Sequence, residues 1–156
     1  MKTSNTTIEL NPNNQYDINF QCFLNSYHSD LLSHPESIEQ LELAKAREII
    51  LYFVELACLC QNIRNIELGR AGIWMLPKQW VLNCIEEIVE PMLHQNDEWE
   101  YRRLLEVYWH IDKSLVKRLA MRCLDCDDSE IRELGKECLA ELENLSGEVE
   151  KEYWEL

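Results

Sequence analysis

The chain has 156 residues, 46 % of them apolar, and 29 acidic against 15 basic side chains give it a net charge of −14. Length and apolar content suffice for a buried core and exclude wholesale disorder, while the acidity argues against nucleic acid or membrane phosphates as partners. Only four glycines and four prolines interrupt the sequence, so the predicted fold is all-α: a single-domain multi-helix bundle, or a short HEAT-like stack of antiparallel helix pairs.

Residues 1–14, rich in Asn and Thr and without apolar period, read as a flexible N-terminal segment, followed by a helical domain over 15–146. Ile18, Phe20, Phe23, Leu24, Tyr27, Leu31 and Leu32 fit a first helix with 3.6-residue spacing. Ser33-His34-Pro35-Glu36 reads as the next start, with Ser33 as cap, Pro35 in the first turn and Glu36 completing a capping box. That second helix is expected over roughly 36–61; from Ile49 onward it is apolar nearly all round and must be covered on most sides, which makes it the expected centre of the core.

Over 62–76, Gly69 and Gly72 weaken a helix that Ile66, Arg70, Ile73 and Trp74 otherwise fit, and a short helix is expected. Pro77 opens a helix with Trp80, Val81, Cys84, Ile85, Ile88 and Val89, which Pro91 bends or ends. Asp97, Asp112 and then Asp127 or Asp128 each begin a further helix, and residues 147–156 form an acidic tail or short helix. The breaks at Pro77, Asp112 and Gly147 fall 35 residues apart, a spacing typical of stacked helix pairs. A HEAT-like stack over 66–145, with the helices of 16–61 against one end, fits this punctuation, and an ordinary globular bundle fits it nearly as well.

The seven cysteines are odd in number and Met1-Lys2-Thr3-Ser4 leads into polar residues, which points to reduced thiols in a cytoplasmic protein. The longest apolar run, residues 49–60, is interrupted by Glu55 and is shorter than the ~20 residues a membrane helix needs.

Charge is most unevenly distributed at the C-terminal end, where residues 127–156 hold eleven acidic and three basic side chains, a net of −8. Glu130, Glu133, Glu137 and Glu141 step by three, four and four residues, which places their carboxylates in one stripe on a helix beside its apolar face. Like charges at this spacing cost a helix about 0.2–0.5 kcal/mol per pair. Such a stripe serves either as a solvated face that keeps the protein soluble or as a docking surface for a basic protein. The aromatics Trp99, Tyr153 and Trp154 would be its anchors, since interfaces favour aromatic residues. The partner-binding set is therefore Glu130, Glu133, Glu137, Glu141, Trp99 and Trp154. Between Tyr101 and Arg122, six basic residues (Arg102, Arg103, Lys113, Lys117, Arg118, Arg122) face two acidic ones, and pairing between neighbouring helices is their expected use.

No constellation points to catalysis, a metal or a cofactor. Cys123-x-x-Cys126 lacks the second ligand pair of a structural zinc site, and Cys58-x-Cys60 lies in the apolar helix, where cysteine acts as a small hydrophobe. Gly69-Arg70-Ala71-Gly72 has neither the preceding strand nor the spacing of a phosphate cradle. His28, His34, His94 and His110 are scattered outside any triad motif. A binding protein, not an enzyme, is expected.

The stretch from Pro77-Lys-Gln-Trp80-Val81 through Asp97-Glu-Trp99-Glu-Tyr101-Arg-Arg-Leu-Leu105, Ile111-Asp112 and Asp127-Asp128-Ser-Glu-Ile-Arg132-Glu133 resembles the helical, HEAT-like immunity proteins that bacteria encode beside toxins delivered to competitors. The resemblance covers about residues 66–140. It implies a cytoplasmic antitoxin that binds one cognate toxin domain, a nuclease for instance, and occludes its active or substrate-binding site. A HEAT-like adaptor without inhibitory role is the alternative. The family has no shared functional motif to carry over residue by residue.

Overall fold

The computed structural model describes the backbone of residues 8–94 and 96–154 and the side chains of residues 8–94 and 96–145. Among the described residues every regular element is helical, and no helix is long and apolar enough to cross a membrane. Backbone contacts divide the chain into two compact units, Met1–Met92 and Leu93–Leu156. Charged side chains rise from 18 of the first 92 residues to 26 of the last 64, a shift that accompanies this division where the sequence pattern alone suggests one domain.

The first unit begins with α1 (Gln15–Tyr27), whose free backbone N–H groups at Tyr16 and Asp17 are taken up by the Asn14 side chain. Its core-facing residues are Asp17, Phe20 and Leu24, and Ile18 is 37 % exposed, so the buried face is rotated from the one the apolar letters suggest. The helix ends at His28, and Leu31, fully buried, reaches the core from the turn that follows. The single helix expected over 36–61 is instead two pieces. A 3₁₀ segment, Pro35–Gln40, is followed by extended backbone at Leu41 and Glu42 (ψ 154° and 139°), and α2 (Leu43–Val54) starts only there. Ser33 is not the cap: His34 holds that place, and its carbonyl accepts bonds from the Ser37 N–H and hydroxyl at 3.0 and 2.6 Å. Pro35 does sit in the first turn.

α2 widens at its end into a π turn, Glu55–Leu59, closed by the Cys60 N–H on the Glu55 carbonyl. As its all-round apolar character requires, Ile49, Ile50, Phe53, Val54 and Ala57 are completely enclosed. α1 meets it through rings, with Phe20 on Phe53 (centroids 5.6 Å apart) and Phe23 on Tyr52 (3.7 Å). α3 (Ile63–Met75) then lies against α2 and the π turn. Here the two glycines that weaken the helix on paper explain themselves. A Cβ on Gly69 would lie 2.4 Å from the Phe53 carbonyl oxygen and 2.5 Å from the Ala57 nitrogen, and one on Gly72 would lie 2.7 Å from the Phe53 ring. α4 (Lys78–Val89), opened by Pro77, and the 3₁₀ turn Glu90–Met92 complete the unit.

The second unit is built from α5 (Glu98–Trp109), α6 (Lys113–Leu124) and α7 (Ser129–Trp154). All three starts follow the predicted capping chemistry. The Asp97 carboxylate accepts from the Trp99 and Glu100 N–H groups, Asp112 from Ser114, and Asp128 from Glu130 and Ile131. Leu104, Leu105, Leu115, Leu119, Ile131 and Leu134 are buried. α6 and α7 pack tightly at Gly135, where a Cβ would meet the Ala120 carbonyl oxygen at 2.6 Å. α7 passes through Gly147 without a break and continues to Trp154, so the third mark of the 35-residue spacing is absent and residues 147–154 prolong this helix.

Candidate protein-docking site

The C-terminal helix is set in place by its first turn. Asp128 caps it, with its Oδ1 accepting from the Glu130 and Ile131 N–H groups at 2.9 and 3.1 Å. Arg132 reaches back and donates through Nη1 to the carbonyls of Cys126 (2.8 Å) and Asp127 (2.6 Å), closing the α6–α7 turn. Burial first, then the Cys126 and Cys123 thiols, push the Tyr101 pKa up to about 12.

With Ile131, Leu134 and Gly135 turned inward, Glu130, Glu133, Glu137 and Glu141 are all exposed on the outer side of α7. Glu133 has one exposed ion pair, with Lys136 at 3.6 Å, and such a pair contributes little. Glu130, Glu137 and Glu141 have no ion pair among the described residues. The cations that might have quenched the row are used elsewhere: Arg132 on the turn carbonyls, and Arg102 on Glu98, one turn earlier in its own helix, at 2.8 Å from Nε. Arg102 is held protonated first by the Glu98 carboxylate, with a smaller attraction from Glu137 in the same direction. α5 packs against α7, and Trp99, 63 % exposed, projects from the first turn of α5.

Five of the six predicted partner-binding residues, Glu130, Glu133, Glu137, Glu141 and Trp99, thus stand exposed on α7 and the start of α5. The sixth, Trp154, and Tyr153 lie on the α7 backbone with side chains outside the described residues, as do the acidic side chains of residues 148–155. The basic stretch behaves differently from expectation at Arg102, whose partner is in the same helix and not in a neighbouring one. Lys113 and Lys117 are exposed on α6, beside Met121 at 52 % exposure.

All seven cysteines are free. Burial pushes the Cys123 thiol up to about 12 and the Cys138 thiol up to about 11, which disfavours the reactive thiolate. Among the described residues no group of three His, Cys, Asp or Glu is arranged to hold a metal ion.

Two polar pairs have no counterpart in the sequence reading. Asp17 is 1 % exposed and gripped at both oxygens by Arg64 of α3 (Nε–Oδ1 2.6 Å, Nη2–Oδ2 2.7 Å), with the Asn11 N–H donating to Oδ2 at 2.7 Å. The hydrogen bond from Arg64 holds the Asp17 carboxyl below its ordinary range. Arg64 also donates to the Glu9 carbonyl at 3.2 Å, so residues 9–11 of the expected flexible segment are tied to α1 and α3. The signal was the register: Asp17, Phe20 and Leu24 share one helix face, and an acid on an apolar face requires a partner. In the second unit, Glu100 is buried and accepts from His94 twice, from its N–H and its Nδ1, both at 2.7 Å. This hydrogen bond raises the His94 pKa above 6.5.

Neither a family model, nor a curated relative, nor a solved structure matches the chain.

Proposed function

We propose that this protein is a cytoplasmic, non-catalytic binding protein of the immunity type, which neutralises a cognate basic toxin domain by covering its active or substrate-binding site. The observation that supports this reading is the exposed row Glu130, Glu133, Glu137 and Glu141, three of them without an ion pair among the described residues, with Trp99 exposed on the α5 helix that packs against α7. Enzymes that cut nucleic acid bind phosphate in basic clefts. A helix carrying carboxylates at intervals of about 6 Å (four residues of 1.5 Å rise) fits such a cleft in place of phosphate, and opposite fields accelerate encounter by 10- to about 1,000-fold at low ionic strength.

The test uses the basic protein that the chain captures from its source cell. Co-expression of that protein should be toxic alone and tolerated with the wild-type chain. The triple reversal Glu133→Lys, Glu137→Lys and Glu141→Lys should keep the helical circular-dichroism spectrum, slow association at least about tenfold at low salt and abolish protection. Unchanged association would remove the stripe as the site, and a captured partner without toxicity would remove the inhibitory role.

A further inference from the structure

We propose that the exposed ridge of α6 docks against the carboxylate row of α7 in a second copy of this chain. The ridge is Lys113, Lys117 and Met121, at a constant step of four residues, and Arg118 and Arg122 lie along its side. Its occupant is identified by charge and by spacing. Glu133, Glu137 and Glu141 repeat at the same step, so both rows advance about 6 Å per charged residue. Two such helices laid side by side bring each lysine to a carboxylate, with Met121, 52 % exposed, supplying apolar contact.

The two rows cannot meet within one molecule. Gly135 lies between Glu133 and Glu137 in sequence and therefore on the opposite side of α7, and it is Gly135 that packs against Ala120 and Cys123 of α6. The carboxylates consequently point away from their own α6. A closed twofold pair makes the contact twice, since each copy offers one ridge and one row, and isologous dimers are the commonest closed assembly. Net charge sets the conditions. At −14 per chain, two copies repel over long range in dilute salt; near 0.1 M the screening length of about 10 Å removes most of that repulsion, and near 1 M, at about 3 Å, the pairing itself is weakened. Association is therefore strongest at intermediate salt.

This inference shares the exposed row with the proposed function but not the identity of any partner. The experiment is sedimentation velocity on the full chain over a concentration series at about 0.1 and 1 M salt. Wild type should form a dimer at 0.1 M that dissociates at 1 M. Lys113→Glu with Lys117→Glu, and separately Glu137→Lys with Glu141→Lys, should each weaken self-association at least about tenfold, and an equimolar mixture of the two variants should regain it, because every contact is again between opposite charges. Wild type that stays monomeric, a dimer indifferent to salt, or a mixture that fails to recover would overturn the proposal. The α6 variant keeps its carboxylate row and should still bind a basic partner, which separates failure here from failure of the immunity reading.

Discussion

Gly69→Ala tests whether the contact between α3 and the end of α2 governs the first unit. Helix propensity alone favours the substitution by about 0.8–1.0 kcal/mol, because glycine has more conformational freedom to lose. The geometry opposes it. The new methyl would stand 2.4 Å from the Phe53 carbonyl oxygen, 2.5 Å from the Ala57 nitrogen and 2.9 Å from the Leu56 Cβ, where ordinary contact begins at 3.4 Å. The two nearest atoms are backbone, so no rotamer change relieves the clash and α3 must retreat by about 1 Å, a gap that forfeits a quarter to a half of each dispersion contact across the seam. Overpacking costs about 1–3 kcal/mol, and a site with no side-chain escape belongs at the upper end. The net loss is then about 2 kcal/mol, or about 4–8 °C in Tm for a chain of this size. Urea unfolding followed by circular dichroism measures it, and an unchanged denaturant slope would place the effect in the native state. A variant as stable as wild type, or more stable by the propensity difference, would refute the packing argument. Gly72→Ala, which meets only the Phe53 ring, should cost less.

The buried ion pair predicts that Asp17→Asn destabilises the protein by about 2 kcal/mol near neutral pH, the scale of a lost charge-assisted pair whose arginine stays partly hydrated. Because the Asp17 carboxyl is held below 3.8 in the folded protein, its contribution is complete above pH 3.8 and disappears as pH falls through the folded value. The stability gap between wild type and variant should close in that acid range, and a gap independent of pH would contradict the pairing. His94 has the opposite sign. Its pKa is raised above 6.5 by Glu100, so its contribution is complete below pH 6.5 and is lost as pH rises through the folded value. Glu100→Gln should return the His94 titration, followed by proton NMR, toward 6.5; a midpoint that does not move would refute the contact.

Helical character and the starts of α5, α6 and α7 were legible because the signals were local. Asp97, Asp112 and Asp128 offer side-chain oxygens next to free N–H groups, and each caps the helix it was expected to start. The carboxylate row was equally legible, since side chains three and four residues apart on one helix share a face regardless of the rest of the fold. Where tertiary contact decides, the letters misled. Ser33 and Glu36 look like a capping box, yet the helix starts at Leu43, after a 3₁₀ turn that buries Ile38. Gly69 and Gly72 count against a helix in isolation and for one once Phe53 and Ala57 lie against it. The Asp17–Arg64 pair joins residues 47 apart in sequence, and no periodicity reports a partner at that distance.

The carboxylate row also bears on its own purpose. Three adjacent like-charge pairs, Glu130 with Glu133, Glu133 with Glu137 and Glu137 with Glu141, oppose helix formation by about 0.2–0.5 kcal/mol each. A surface needed only for solubility avoids this by interspersing both signs. Here the row keeps one cation beside it, Lys136 on Glu133 at 3.6 Å, while the nearby arginines Arg102 and Arg132 are bonded to Glu98 and to turn carbonyls. The cost to α7 is borne by its buried apolar side and the close seating of Gly135 on α6. Under the proposed function, a cationic partner docked on this row relieves the repulsion that Lys136 leaves, and its binding should stabilise α7 as well as the complex.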